Sequence, residues 1–419
     1  MTDTFENMLE KYAELIVKFG VNLQTGQRLL IGPPAVWMLG TPIETAPFVR
    51  KVAEHAYRAG ARRVDVIWND PQMQRLRIEH AQTNTLTDFP KWQVEASMAH
   101  INNGDAVLFI LAEDPDLYRG LDPKAVSTLQ TTTMKQTHEV LDAFAKSKVQ
   151  TCVVAAPVNG WADKVFPDFP TETRDQELWK AIFSMCRADQ ADPIAAWKTH
   201  MEQMKRRSDY LNEKRYDELY YSAPGTELRV GLPTDHLWRH IQMTDRKGTS
   251  YVLNIPSEEI WCMPHKDCVD GTVVASKPLS FGGTVIEGIR FVFKEGCVVE
   301  SSATQGQEVL KSLLESDEGS RRLGEVALVS HSSPISRMRR IFYNILIDEN
   351  AASHLALGLA YKFNMKGGID MSDEEFHRLG GNQSSVHVDF MIGSEKMDVF
   401  GVTKSGKREL IMNHGEWVI

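Results

Sequence analysis

Short apolar segments alternate with helical patterns through the first 155 residues, and this alternation constrains the fold more than any other feature of the chain. The predicted helices are Phe5–Phe19 and Glu44–Ala59, and the predicted strands are Arg28–Gly32, Arg63–Trp68, Ala106–Leu111 and Val149–Val154. Strands and helices in this order are typical of a mostly parallel sheet that is covered by helices. We therefore predict an α/β N-terminal domain with a mostly parallel sheet. No glycine-rich phosphate-binding motif follows these strands, so this region does not indicate a nucleotide site.

The rest of the sequence has a different character. A long charged helical pattern, roughly Gln176–Tyr221, leads into it. The later predicted strands are Tyr251–Ile255, Val285–Phe293, Cys297–Ser301, Gly324–Val329 and Ser385–Met391, and the later predicted helices are Gln305–Leu314 and Asp348–Phe363. A tight turn at Gly296 joins the strands Val285–Phe293 and Cys297–Ser301 in a predicted β-hairpin. We predict an α+β C-terminal domain with a mixed sheet, and a division of the chain into domains 1–195 and 196–419.

Composition and charge narrow the classes of partner. Hydrophobic residues make up 42% of the chain and charged residues 25%, as in ordinary soluble globular proteins. The net charge of −9 argues against nucleic acid, because phosphate binding requires a basic surface. The 5 cysteines are scattered without a C-x-x-C pair, which favours reduced thiols. No secretion signal and no apolar run of the ~18 residues of a membrane span is present, so we expect a cytoplasmic protein without a membrane partner.

A histidine and a tyrosine belong to the predicted helix that Asp348 caps. His354 and Tyr361 are seven residues apart, so on a helix they would share one face about two turns apart. Gly358 between them costs ~1 kcal/mol of helix stability, which makes sense if a large group must approach that face closely. The alternative interpretation is a core histidine on a packing face of small residues.

The strand Ser385–Met391 carries a His-x-Asp pair. Because side chains alternate across a strand, His387 and Asp389 point to the same side. An imidazole and a carboxylate placed in this way can reach one cation of zinc, manganese, cobalt or iron. A hydrogen bond between the two side chains explains the pair equally well.

Two glutamates stand out by their surroundings. Glu259 follows a predicted strand that ends at Pro256, and Glu325 lies at the start of an apolar strand. A carboxylate in such a strand is costly to bury unless a cation pairs with it. An exposed strand edge or a structural salt bridge would explain either glutamate alone. Together with the histidines and Asp389, however, they form a suitable ligand set for two cations ~3.5–4 Å apart.

Five stretches of the sequence resemble the M29 family of metallo-aminopeptidases. They are Asn254–Ile260, Met263–Asp267, Leu323–Val329, Asp348–Gly358 and Ser385–Gly393. The likeness extends from about residue 5 to the C-terminal Ile419, with the motifs in the same order. Ser257 and the pair Trp261-Cys262 stand where the family pattern has Thr and Phe-Thr, a difference that bears on the shape of the pocket.

The resemblance implies a dinuclear metallo-aminopeptidase that releases N-terminal amino acids through a metal-activated bridging water. It implies two divalent metal ions per chain (zinc, cobalt, manganese or magnesium), peptide substrates with a free N-terminus, and a homodimer. The domain 196–419 would be the metal-binding catalytic domain. The implied metal ligands are Glu259, Glu325, His354, His387 and Asp389, with Tyr361 as the catalytic tyrosine and Glu349 as a further ligand or base.

Two alternatives stay open at this point. His354, His387 and Asp389 alone would satisfy the two-histidine, one-carboxylate pattern of a non-haem iron enzyme. Ring-cleaving dihydroxypyridine dioxygenases are similar to M29 proteins in this region. This resemblance implies a dioxygenase acting on a dihydroxypyridine-like substrate as the main alternative, although Glu259 and Glu325 favour two metals. The other alternative is a protein that binds metal or peptide without catalysis, and no ligand position is missing to favour it.

Overall fold

The structure, a computed structural model, describes residues 4–35, 38–281 and 284–419. Its α-helices are α1 (Phe5–Leu15), α2 (Ala46–Arg58), α3 (Pro71–His80), α4 (Lys91–Asn103), α5 (Pro123–Ala145), α6 (Asn159–Val165), α7 (Thr171–Met185), α8 (Pro193–Lys214), α9 (Gln307–Leu314), α10 (Pro334–Arg337), α11 (Ile345–Asp348) and α12 (Asp373–Arg378). A π-helical turn, Ile16–Gly20, continues α1, and a 3₁₀ turn, Glu349–Ala351, follows α11.

The strands are short, with no more than 6 residues each. They are β1 (Arg28–Ile31), β2 (Thr41–Pro42), β3 (Arg63–Val66), β4 (Trp68–Asn69), β5 (Ala106–Leu111), β6 (Thr151–Ala155), β7 (Glu218–Ala223), β8 (Thr226–Gly231), β9 (Gln242–Thr244), β10 (Ser250–Val252), β11 (Asn254–Ile255), β12 (Ile260–Cys262), β13 (Val269–Val274), β14 (Leu279–Phe281), β15 (Thr284–Ile286), β16 (Arg290–Lys294), β17 (Cys297–Ser302), β18 (Leu323–Leu328), β19 (His354–Gly358), β20 (His387–Met391), β21 (Asp398–Val402), β22 (Arg408–Asn413) and β23 (Glu416–Trp417).

The chain divides into two compact units, each built from several segments. The first unit comprises Met1–Thr199, Ile241–Ser257 and Ile341–Leu346, and the second comprises His200–His240, Glu258–Arg340 and Ile347–Ile419. The first boundary between the units lies inside α8, and two later segments of the chain again belong to the first unit. A two-domain chain with a border after residue 195 stays a proposal.

The first unit is built on a parallel sheet with the strand order β11-β6-β5-β1-β3. Strand β5 is buried along its whole length, as expected for a central strand of a sheet with helices on both faces. Its side chains Val107 and Phe109 pack with Met98 of α4 and with Val140 and Phe144 of α5 in one hydrophobic cluster. The predicted α/β fold of this part is confirmed.

The second unit contains two antiparallel sheets. One has the order β12-β18-β19-β20, and the other has the order β17-β16-β13-β8-β7-β21-β22-β23. Every pairing in these two sheets is antiparallel, so the mixed sheet that we expected is replaced by antiparallel ones. The predicted hairpin at Gly296 is present as β16 and β17. The region Gln176–Tyr221, for which we predicted one long helical segment, contains the end of α7, all of α8 and the start of β7.

The predicted helix Asp348–Phe363 is wrong. After the turn Glu349–Ala351 the chain forms β19, the strand His354–Gly358, which is buried throughout between β18 and β20. A short apolar run rich in leucine and alanine fits a buried helix and a buried strand equally well. Long-range pairing with two neighbouring strands therefore decides the structure here, and His354 and Tyr361 do not share a helix face.

No helix in the described part of the chain combines the length and apolar character that crossing a membrane requires.

We expect Gly358→Ala to destabilise the second unit. Gly358 has φ +101°, and a Cβ atom on it would lie 2.0 Å from the carbonyl oxygen of Val386. The unfavourable φ and the backbone clash should together lower the free energy of unfolding by about 3–5 kcal/mol. The measurement is urea denaturation followed by circular dichroism.

Gly406→Ala is the matched control, because Gly406 also has a positive φ, +80°, but its Cβ would meet nothing within 4 Å. It should cost only about 1–2 kcal/mol, the price of the backbone conformation itself. Equal losses in the two variants would contradict the close approach of β19 to Val386.

Candidate metal centre

The strand register places four candidate side chains on one face of the sheet β12-β18-β19-β20. Glu325 on β18 and Asp389 on β20 both lie opposite Ala356 of β19, and His387 lies opposite Gly358. Residues that face each other across neighbouring strands point to the same side, and His354 shares the side of Ala356 because it lies two residues away. The small side chain of Ala356 leaves the space between the two carboxylates free.

A β-bulge at Gly324 explains how Glu325 reaches this face. Leu323 pairs with Leu357 and Glu325 pairs with Ala356, so Gly324 is an extra residue in β18. In an unbroken strand Leu323 and Glu325 would point to the same side, whereas the bulge places them on opposite sides. Only glycine fits the bulge, because a Cβ there would lie 2.2 Å from the carbonyl oxygen of Leu359.

Glu259 joins the cluster from the strand on the other side of β18. It precedes β12, two residues before Trp261, which pairs with Ala327 of β18. Its Oε2 atom lies 3.2 Å from Nε2 of His354, and Oε1 of Glu325 lies 3.5 Å from the same nitrogen. These three residues form one group whose potential ligand atoms lie within 4.8 Å of one another.

Glu325 also belongs to a second group of this kind, with His387 and Asp389. Nε2 of His387 lies 3.8 Å from Oε2 of Glu325 and 3.6 Å from Oδ1 of Asp389. The two oxygens of one carboxylate therefore face two different imidazoles. The structure thus brings together all five residues that the sequence nominated as metal ligands.

Backbone carbonyls fix the orientation of both imidazoles. Nδ1 of His354 lies 3.1 Å from the carbonyl oxygen of Ala352, and Nδ1 of His387 lies 2.7 Å from that of Leu359. A carbonyl only accepts, so each Nδ1 carries the proton and donates it. In the neutral ring Nε2 then presents its lone pair to the carboxylate cluster, which is the usual arrangement of a metal-binding histidine.

The carboxylates are buried without enough donors to satisfy them. Glu259, Glu325 and Asp389 are 6%, 6% and 8% exposed. Within the described residues, Oε2 of Glu259 and Oδ1 of Asp389 have no hydrogen-bond donor. Buried carboxylates without donors are costly, whereas a cation on their unpaired oxygens removes that cost. The residues present therefore fit divalent metal.

The pKa shifts describe the same excess of negative charge. Burial raises the pKa of Glu325, the nearby imidazole of His354 offsets part of this rise, and Glu259 and Asp389 add to it. Burial also raises the pKa of Glu349 well above its usual value, and the charges of Glu259 and Asp389 raise it further. Burial lowers the pKa of His354, but Glu259 and Glu325 outweigh it and the net shift is well upward. The cluster therefore attracts positive charge, either protons or a metal.

Tyr361 reaches the cluster from the loop after β19. Its ring centroid lies 4.8 Å from that of His387, and its ring stacks on Phe363 with centroids 5.0 Å apart. Phe363 in turn meets Trp261 edge to face. Burial and then the nearby carboxylates raise the pKa of Tyr361 well above 10, so its hydroxyl remains a protonated donor.

Glu349 lies in the 3₁₀ turn before β19, where its carboxylate interacts with those of Glu259 and Asp389. The next residue, Asn350, is fully buried and contacts both Glu349 and the backbone of Glu258. Asn350 carries no sequence signal of its own, because its contact with Glu258 spans 92 residues.

Comparisons with known proteins find relatives over nearly the whole chain. The family model "Thermophilic metalloprotease (M29)" matches residues 5–417. Aminopeptidase 2 of Geobacillus stearothermophilus is 45% identical over 413 residues, which cover 99% of this chain and 98% of that protein. The solved structure of wild-type AmpT from Thermus thermophilus superposes with a TM-score of 0.93 at 40% identity, covering 99% of this chain and 100% of that one.

A more distant structure shares the fold alone. The 2,5-dihydroxypyridine dioxygenase from Pseudomonas putida matches with a TM-score of 0.52 at 11% identity, covering 99% of this chain and 98% of that one. At this identity the likeness shows a shared fold and says nothing about the reaction.

We expect Glu325→Gln to reduce the metal content more than any other single ligand change, because Glu325 belongs to both groups of potential ligands. The substitution keeps the size of the side chain and removes its charge, so divalent-cation affinity should fall about 100-fold or more. Elemental analysis after gel filtration gives the cation-to-protein ratio.

Glu308→Gln, on the exposed side of α9, is the control and should leave that ratio unchanged. An unaltered ratio in Glu325→Gln would show that Glu325 is not a ligand.

Proposed function

The chain belongs to the M29 family of thermophilic metalloproteases, and from this premise we propose that it releases N-terminal amino acids from peptides with two divalent cations. Metal-dependent aminopeptidase activity is the function that the family and the aminopeptidase relatives support. The observation that carries the dinuclear site is the position of Glu325, whose two oxygens face two separate histidines.

We assign the ligands by these two groups. Glu259, Glu325 and His354 would hold one cation, and Glu325, His387 and Asp389 would hold the other. Glu325 would then be the carboxylate that the two groups share. Carboxylate oxygens and imidazole nitrogens suit zinc, cobalt and manganese, and carboxylates also suit magnesium, so the ligand set does not select one metal.

The remaining residues handle protons and developing charge. When bound, the cations supply Lewis acidity that lowers the pKa of a coordinated water towards neutrality. Glu349, whose carboxylate lies near those of Glu259 and Asp389, takes up the proton of the attacking water and passes it to the leaving amine. The hydroxyl of Tyr361 donates a hydrogen bond to the carbonyl oxygen of the substrate, on which negative charge develops.

The dioxygenase alternative needs only His354, His387 and Asp389. It leaves Glu259 and Glu325 without a role, although both are buried against His354. The five-residue cluster therefore favours hydrolysis.

Three further properties belong to the proposal. The substrates are peptides with a free N-terminus, the protein is a homodimer, and its location is cytoplasmic. None of the cysteines in the described part of the chain is joined in a disulfide, which supports a reducing compartment. Light scattering on the purified protein measures the mass of the assembly and tests the dimer.

Chelation tests the function directly. The purified protein should hydrolyse an aminoacyl nitroanilide, lose this activity when dialysed against a chelator, and regain it when zinc, cobalt, manganese or magnesium is restored in turn. The N-acetylated form of the same substrate is the control, because an exopeptidase of this kind requires the free amine. Oxygen uptake with a dihydroxypyridine, in the absence of nitroanilide hydrolysis, would establish the dioxygenase instead.

Tyr361→Phe should retain its metals and lose most of its turnover. The substitution keeps the ring that packs against His387 and Phe363 and removes only the hydroxyl donor. Loss of one such donor costs about 10²–10³ in kcat in comparable sites. Steady-state kinetics on the metal-replete variant measures it, with Tyr57→Phe, exposed on the first unit, as the control. Wild-type kcat in metal-replete Tyr361→Phe would rule out this role.

A further inference from the structure

A single buried amide connects two acidic residues of the candidate centre. Asn350 is 0% exposed. Its Oδ1 accepts a hydrogen bond from the backbone N–H of Glu258 at 2.7 Å. Its Nδ2 donates to Oε1 of Glu349 at 3.3 Å. The amide therefore touches the residue directly before Glu259 and also the carboxylate to which we assign proton transfer.

The amide supplies both the acceptor and the donor that these two contacts require. A backbone N–H requires an acceptor, and a carboxylate requires a donor. The orientation of the amide follows from these partners, because a rotated amide would place its NH₂ group against the N–H of Glu258. Aspartate, which has the same shape, could keep the bond to Glu258 but could not donate to Glu349.

The backbone around Asn350 is held firmly enough for its side chain to orient others. The hydroxyl of Ser333 donates to the carbonyl oxygen of Asn350 at 3.3 Å. The hydroxyl of Ser353, three residues later, accepts from the N–H of Val329 at 3.0 Å and donates to its carbonyl oxygen at 3.1 Å. The turn is thus fastened to the segment that follows β18, the strand that carries Glu325.

The contact with the N–H of Glu258 holds the backbone one residue before Glu259. The carboxylate of Glu258 faces Nε2 of His200 at 3.7 Å, whereas that of Glu259 faces Nε2 of His354 at 3.2 Å. The two consecutive side chains therefore diverge, and a bond to the N–H of Glu258 restricts the direction of both. Loss of that bond would allow Glu259 to move within the cluster.

We propose that Asn350 is a positioning residue that holds Glu349 and the backbone of Glu258, and through it the neighbouring Glu259, at a fixed separation. It acts through these two residues and does not itself contact the reacting atoms. This role rests on the proposed function, in which Glu259 binds a cation and Glu349 transfers the proton.

The experiment compares Asn350→Asp and Asn350→Ala, each alone and combined with Glu349→Gln. Metal-free proteins are titrated with Co²⁺ and followed by visible absorption, which reports the coordination of the ion independently of turnover. The kinetic constants kcat and KM of the Co²⁺-loaded proteins are measured with an aminoacyl nitroanilide. Circular dichroism checks that each variant is folded.

The two substitutions should separate the two contacts. Asn350→Asp keeps the acceptor for Glu258 and adds a negative charge that attracts cations, so its Co²⁺ affinity should not fall below that of wild type while kcat falls about 10-fold or more. Asn350→Ala loses both contacts, so its Co²⁺ affinity should also fall about 10-fold and the absorption band should change. In the Glu349→Gln background, Asn350→Asp should change kcat less than about twofold, because the residue through which it acts is already lost.

Asn212→Ala is the matched control for the removal of a bridging amide. Its side chain accepts from the N–H of Trp238 at 2.9 Å and donates to the carbonyl of the same residue at 2.9 Å. This variant should lose thermal stability but keep kcat and Co²⁺ affinity within about twofold of wild type.

Two results would overturn the role of Asn350. One is a full multiplicative loss of kcat when Asn350→Asp is added to Glu349→Gln, and the other is an unaltered Co²⁺ affinity and band in Asn350→Ala. If Co²⁺-loaded wild-type protein fails to cleave the substrate, the proposed function fails. The Co²⁺ titration of Asn350→Ala then still decides whether Asn350 positions Glu259.

Discussion

Electrostatic repulsion among buried carboxylates is the constraint on which the second unit of this protein depends. Glu259, Glu325 and Asp389 are each less than a tenth exposed and lie around the same two imidazoles. Two like charges 4 Å apart repel by about 4 kcal/mol at the effective dielectric of a protein site. Both imidazoles already use Nδ1 to bind backbone carbonyls, so each offers a single nitrogen to the carboxylates. Cations of higher charge balance such a cluster better than two protons can.

The antiparallel sheet can hold several acidic side chains close together because its strands are joined by backbone hydrogen bonds. These bonds do not involve the side chains. Glu325 and Asp389 stand on either side of Ala356, and His387 stands beside Gly358, so the central strand contributes little bulk. The bulge at Gly324 turns Glu325 onto the face of His354 while Leu323 stays on the apolar side. Small residues and one irregularity in the pairing therefore determine the geometry of the ligands.

Local patterns in the sequence predicted those features of the structure that depend mainly on neighbouring residues in the chain. The parallel sheet of the first unit could be predicted because strands such as β5 are short continuous apolar runs between helical patterns. The His-x-Asp pair on β20 could be predicted because alternation across a strand needs no knowledge of its neighbours. The resemblance to a family nominated the five clustered residues, and the structure brings them together.

Local patterns failed where distant pairing decides the conformation. The segment around His354 fits a helix by composition, but β18 and β20 on either side hold it as a strand. The argument that placed Tyr361 on one helix face with His354 was therefore wrong, although Tyr361 does reach the centre through its contact with His387. The contact of Asn350 with Glu258 has no periodicity at all, so only the folded chain reveals it.

The ligands and the residues that we assign to proton transfer occupy different kinds of structure. Glu325, His354, His387 and Asp389 lie on paired strands, where backbone hydrogen bonds fix each Cα position. Glu349 and Tyr361 lie in the turns that flank β19, and turns hold a side chain less precisely than strands do. Each of the two therefore needs an additional contact: Glu349 has the amide of Asn350, and Tyr361 has the ring of Phe363. Because one central strand carries His354 and both flanking turns, a change in the pairing of β19 would move ligands and proton-transfer residues together, whereas a change in either supporting contact would move only one.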